Sequence, residues 1–237
     1  MTNKIYSSKA DLAREFSKWL SEFIDRSKGE INIALSGGST PQMIFEELAA
    51  FYNDKIDWSR VHFYWGDERC VPPTDMDSNF GMTAELLLSK INVPSENVHR
   101  IKGENNPEEE AINYSNLLAE SLPKAEGLPS FELVILGMGD DGHTASIFPH
   151  QIVLWDDENN CVVATHPDSG QNRISITGKI INNARTVAFL VTGTAKAKKV
   201  SEIQNSEGNY SSYPASLVMP SSGQLIWFLD EDAARDL

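Results

Sequence analysis

Cysteine is scarce in this chain: Cys70 and Cys161 are the only two in 237 residues. Two cysteines build no disulfide framework, and neither has metal-ligand spacing. Nothing around Cys70 suggests an activated thiolate, so both read as packing residues suited to a reducing compartment. Positive charge is also in short supply, with 20 Lys and Arg against 34 Asp and Glu and a net charge of −14. The basic footprint of a nucleic-acid binder is missing. An anionic substrate would have to be met by a few cations concentrated against a repulsive background. No apolar run approaches the ~20 residues of a membrane span. The opening stretch, MTNKIYSSKADLAREF, carries no apolar signal-peptide core. A cytoplasmic protein with no membrane or nucleic-acid partner is expected. Internal repeats and low-complexity linkers are absent too, as are a G-x-S-x-G elbow, HExxH and CxxC. Neither a serine hydrolase of that kind nor a metal is called for.

What remains is a regular alternation. Helical spacing of apolar residues predicts helices over Asp11–Ile24, Pro41–Ala50, Asn79–Leu88 and Pro107–Leu122, with a further Lys-rich helix from about Ala195. Short apolar runs predict strands over Ile31–Leu35, Arg60–Trp65, Phe131–Leu136, Cys161–Thr165, Arg173–Thr177, Thr186–Val191 and Leu225–Leu229. Strands alternating with helices indicate an α/β fold, an open sandwich built on a mostly parallel, Rossmann-like doubly wound sheet. The connections are too short for domain linkers, so residues 1–237 read as a single domain.

In such folds ligands bind at the carboxyl edge of the sheet. Four strand ends deliver unusual residues there. After Ile31–Leu35 comes SGGSTP: Gly37 and Gly38 let backbone approach a ligand, the following helix start offers free N–H groups, and Ser36, Ser39 and Thr40 could add hydroxyl donors for an anion. The Gly-Lys-Ser/Thr ending of a Walker loop is missing. After Arg60–Trp65 comes GDERCVPP, in which Arg69 is a candidate phosphate fork and Asp67 could orient a substrate hydroxyl or a base. The stretch FELVILGMGDDGHTASIFP runs from a buried strand into three glycines, Asp140, Asp141 and His143. A neutral imidazole beside a carboxylate is a general base for near-neutral pH. GMGDDG matches G-x-G-x-x-G formally, but its two carboxylates would repel a pyrophosphate, and Pro149 limits a helix starting here. Last, VTGTAKAKKV repeats the strand–glycine–helix arrangement and puts Lys196 in the first turn, while Lys198 and Lys199 read as a solvated face. Arg173 begins a short strand and could reach the same edge.

In this order, LSGGSTP, GDERCVPP with Asn79 shortly after, LGMGDDGHTASIFP and VTGTAKAKKV resemble the 6-phosphogluconolactonase family over roughly residues 31–218. The resemblance implies a glucosamine-6-phosphate deaminase-like fold. It also implies hydrolysis of a sugar-phosphate lactone, 6-phospho-D-glucono-1,5-lactone, the second step of the oxidative pentose phosphate pathway, without a cofactor; a monomer is expected. Related deaminases typically follow their histidine with Ala-Phe-Asn-Glu-Pro and carry Asp-Glu-Tyr, where this chain has Thr144–Pro149, with Phe148 in place of the glutamate, and Asp67-Glu68-Arg69. Both departures favour the lactonase. Sugar-phosphate-sensing regulators share the fold, but no helix-turn-helix segment is visible. On this reading His143 activates water, and Asp141 or Asp67 holds its imidazole. Arg69, Lys196 and the Gly37–Gly38 turn anchor a phosphate. Backbone N–H groups or Arg173 meet the oxyanion.

Overall fold

The structure is a computed structural model that describes all 237 residues. Along the chain run β1 (Thr2–Tyr6), α1 (Lys9–Arg26), β2 (Ile31–Leu35), α2 (Ser39–Phe51), β3 (Val61–Trp65), β4 (Asp67–Arg69), α3 (Asn79–Leu86), β5 (Val98–His99) and α4 (Pro107–Ser121). A small hairpin of β6 (Lys124–Ala125) and β7 (Leu128–Pro129) follows. Then come β8 (Leu133–Leu136), β9 (Cys161–Thr165), β10 (Asn172–Ile176), α5 (Gly178–Asn182), β11 (Thr186–Val191), α6 (Ala197–Asn205), β12 (Gln224–Asp230) and α7 (Glu231–Ala234).

Seven strands form one sheet in the order β1-β12-β11-β8-β2-β3-β5, with every adjacent pair parallel. Buried on both faces, the inner strands are continuously apolar: INIAL, LVIL and TVAFLV carry no exposed position. Helices cover both faces. Helix α1 is capped by Ser8, whose side chain accepts the Asp11 N–H at 3.1 Å, and turns Leu12, Phe16, Leu20 and Ile24 inward. Phe16 packs edge-on against Phe228 of β12 at 4.8 Å. Helix α4 starts as its sequence suggests, with Asn106 as cap, Pro107 in the first turn and three glutamates beside the positive end of the helix dipole.

Several features go beyond the sequence reading. The predicted strands Cys161–Thr165 and Arg173–Thr177 leave the parallel sheet and form a separate antiparallel sheet, β4-β10-β9. Its third member, Asp67–Arg69, carries only charged residues and gives no apolar signal. Gly66 joins the two sheets: its N–H donates to Leu35 and its carbonyl accepts from Ile176. Edge strand β1 is another addition, a polar segment held by pairing with β12. No helix starts in the GMGDDG loop; helical structure resumes only at Pro149, which opens a short 3-10 stretch, Pro149–Asp156, kinked at Gln151, because proline suits a first helical position.

Topology fixes where a ligand can sit. From β2 the chain proceeds outward to β3 and β5, and from β8 it proceeds in the opposite direction to β11 and β12. The switch point lies between the carboxyl ends of β2 and β8, where the two connecting segments diverge and leave a crevice.

Candidate active site

The crevice holds a cavity of about 170 Å³ lined by Ser36, Gly37, Gly38, Asp67, Arg69, Asn79, Gly137, Met138, Gly139, His143, Ala145 and Arg173. Strand β2 contributes the glycine turn. Gly38 adopts φ 103°, which only glycine reaches without strain, and the first hydrogen bond back along α2 is from Gln42 N–H to the Gly38 carbonyl. Gly37 lies so close to the Asn79 amide that a Cβ there would overlap it. Two expected donors point elsewhere. The Ser39 hydroxyl accepts from Lys9 Nζ at 2.8 Å, and Thr40 Oγ1 lies 3.0 Å from Thr192 Oγ1. Helix α2 already begins at Ser39, so each successive side chain rotates by about 100° away from the crevice. The Thr40–Thr192 contact instead ties the first glycine turn to the turn at Gly193.

Strand β8 delivers the imidazole. Asp141 Oδ1 accepts His143 Nδ1–H at 2.6 Å and the His143 backbone N–H at 3.0 Å. With its proton fixed on Nδ1, the ring keeps Nε2 as its free, basic nitrogen. Gly139 N–H bonds the His143 carbonyl at 2.9 Å, and a Cβ on Gly139 would overlap the ring. Phe148, fully buried, packs against the imidazole at 4.7 Å between centroids and against the Arg173 guanidinium at 5.7 Å. Burial alone would raise the Asp141 pKa. The His143 hydrogen bond and charge outweigh it and hold the carboxyl down at about 2.

Asp67, the other candidate for orienting the ring, does not do so: it accepts the Ser146 hydroxyl at 2.5 Å and lies 3.5 Å from Asn79 Nδ2. Its carboxylate is therefore a buried wall group of the cavity. Ala145, between His143 and Ser146, sits at φ 46°, a costly conformation for a residue with a Cβ.

The two arginines come together through strand register. In the β4–β10 ladder Arg69 stands directly opposite Arg173. Like charges at such a position are destabilising unless something negative separates or screens them. Both Nε atoms are buried without a partner. Burial, then the neighbouring Arg69 charge, lowers the Arg173 pKa. An oxyanion accepted by both forks would relieve each of these costs. Glu68, on the far face of β4, braces the wall by accepting the N–H groups of Arg69, Asn79 and Phe80 at 2.7–2.8 Å. Burial nevertheless raises its pKa.

Lys196 lines an adjoining depression of about 620 Å³ that shares Gly139 and His143 with the first cavity. There it pairs with Asp140. The structure thus brings Ser36, Gly37, Gly38, Asp67, Arg69, Arg173 and His143 into one cavity, sets Asp141 behind the imidazole and Lys196 beside it, and leaves the Ser39 and Thr40 side chains outside. Asn79 is a cavity residue to which the sequence reading gave no role beyond its place in the motif order; its approach to Gly37 and to the Asp67 carbonyl, at 2.9 Å, puts it in the wall. Burial pushes the Cys70 thiol up to about 11, which fits a packing residue. No three His, Cys, Asp or Glu side chains are arranged to hold a metal ion, and no helix is long and apolar enough to cross a membrane.

Comparison with known proteins places this geometry in context. The family described as glucosamine-6-phosphate isomerases/6-phosphogluconolactonase matches residues 7–227. The 6-phosphogluconolactonase of Haemophilus influenzae is 46% identical over 206 residues, 86% of this chain and 87% of its own. That of Treponema pallidum is 50% identical over 171 residues, 72% of this chain and 71% of its own. Among solved structures, the 6-phosphogluconolactonase of Trypanosoma brucei superposes with a TM-score of 0.90 at 29% identity, covering 100% of this chain and 98% of that one. A monomeric glucosamine-6-phosphate deaminase reaches a TM-score of 0.84 over the whole of both chains at 17% identity, a likeness of fold alone.

Proposed function

The chain belongs to the glucosamine-6-phosphate isomerase/6-phosphogluconolactonase family, and on that premise we propose that it hydrolyses 6-phospho-D-glucono-1,5-lactone to 6-phospho-D-gluconate, the lactone-opening step of the pentose phosphate pathway. The observation that carries this reading is the Asp141–His143 pair beside two register-matched arginines whose Nε atoms are buried without a partner.

A δ-lactone is an activated ester, so water and a base suffice. His143 Nε2 takes a proton from water as the oxygen bonds C1. The carbonyl electrons move to oxygen, and the tetrahedral oxyanion is met by backbone N–H groups of the glycine turns. The C1–ring oxygen bond then breaks and the imidazolium returns its proton to the departing oxygen. Asp141 holds the ring in the Nδ1–H tautomer and stabilises the imidazolium between the two transfers. Arg69 and Arg173, with the opening of α2, seat the phosphate from one flank, and Lys196 reaches it from the other. Asp67 accepts a sugar hydroxyl. Binding energy from the remote phosphate holds C1 against the water. Phe148 removes the carboxylate that a ring-opening deaminase would need at that position.

The test is to generate the lactone in situ, couple its hydrolysis to 6-phosphogluconate dehydrogenase and subtract spontaneous opening. Ammonia release from glucosamine 6-phosphate is assayed beside it. Hydrolysis above background with no ammonia supports the proposal. Ammonia without lactone hydrolysis would overturn it.

A further inference from the structure

Lys196 and Asp140 are unlike the other charged groups near His143. The lysine is well covered, with 19% of its side chain exposed, whereas its partner Asp140 is 73% exposed. The neighbouring Asp141 is the reverse case, fixed by two hydrogen bonds from His143. A carboxylate meant to position the lysine would be held from behind, as Asp141 is. One that stands mostly in water can let go of the lysine at little cost, because solvent replaces the contact. It must let go if a phosphate dianion arrives at Lys196, because carboxylate and phosphate would repel at that distance.

We propose that Asp140 is a specificity-determining residue, an internal anion that occupies Lys196 in the free enzyme and is displaced by the phosphate of the substrate. This rests on the reading of Lys196 as a phosphate contact. The exchange lowers affinity for substrate and product alike. Because the displacement occurs on binding, its cost is carried equally into the transition state: KM is raised, kcat for the chemical step is unaffected, and the phosphorylated product is released more readily. A neutral lactone, which has no use for Lys196, is untouched by it.

The test compares wild type with Asp140→Asn on two substrates, 6-phospho-D-glucono-1,5-lactone and D-glucono-1,5-lactone, and measures binding of inorganic phosphate and 6-phosphogluconate calorimetrically. The expected result is a fall of roughly two- to five-fold in KM for the phosphorylated lactone and in both dissociation constants, the range that a partly exposed ion pair supplies. Turnover of the neutral lactone should not follow, and Asp140→Asn made in a Lys196→Met background should have no effect on KM. An unchanged or raised KM would overturn the proposal. So would equal changes on both lactones, which would mean that the substitution acts through Asp141 and His143. Should wild type itself fail to distinguish the two lactones or to bind phosphate, the phosphate reading fails first.

Discussion

Replacing Asp141 by Asn separates orientation of the base from the base itself. Asp141 accepts both the Nδ1–H and the backbone N–H of His143, and its carboxyl is held at about 2 against an ordinary 3.8. At 1.36 kcal/mol per pKa step, that difference corresponds to roughly 2.5 kcal/mol of preference for the ionised carboxylate. The side chain is 41% exposed, so solvent screening reduces the useful part to about 1 kcal/mol, or about five-fold in stabilising an imidazolium. The amide also removes the tautomer control. Its NH₂ can face Nδ1, leaving the proton on Nε2, where it blocks attack. Loss of tautomer control in a His–Asp pair costs up to about 10⁴-fold in kcat, the scale of losing the base itself. Asp141→Asn should therefore lower kcat by roughly 10²- to 10⁴-fold with KM held within about two-fold, since the phosphate seat is unaltered. The assay is steady-state lactone hydrolysis from pH 5 to pH 8, corrected for spontaneous opening, which rises with pH. Unchanged kcat, or a loss confined to KM, would refute the orienting role.

Alanine at Arg69 or Arg173 should raise KM for the phosphorylated lactone by about 10- to 100-fold, the scale of a lost charge-assisted hydrogen bond, and change the neutral lactone little; equal effects on the two substrates would place the arginines outside the phosphate seat. Gly139→Ala puts a methyl into the space of the imidazole, and kcat should fall by about 100-fold or more with the far-UV circular dichroism unchanged. Stability should carry an acid signature. Because the folded pKa of Asp141 is depressed, the pair contributes about 1 kcal/mol above pH 4, lost as pH falls toward 2. Urea denaturation of wild type and Asp141→Asn should accordingly differ at neutral pH and converge in acid.

The parallel core was readable because strands buried on both faces must be apolar along their whole length. Thr186–Val191 has the same bounds in sequence and structure, and Ile31–Leu35 likewise. Asp67–Arg69 was unreadable as a strand for the opposite reason: its pairing with β10, not its side chains, makes it one. The juxtaposition of Arg69 and Arg173 depends on that register and leaves no trace in local spacing. His143 and Asp141, two residues apart in one glycine turn, were visible as a pair. Asp67 is an equal candidate for that role in the sequence, and only the Ser146 hydroxyl on its carboxylate separates the two. The hydroxyls of Ser39 and Thr40 misled because a run of donors after two glycines suggests a cradle, whereas helical rotation turns them outward.

General-base activation of water by His143 is tested most directly by the turnover of 6-phospho-D-glucono-1,5-lactone by His143→Ala, measured beside wild type and above the spontaneous rate. The expected result is a loss of about two to four orders of magnitude in kcat with inorganic phosphate still bound as in wild type. Turnover at the wild-type rate would contradict it, and the water would have to be activated by another group in the cavity.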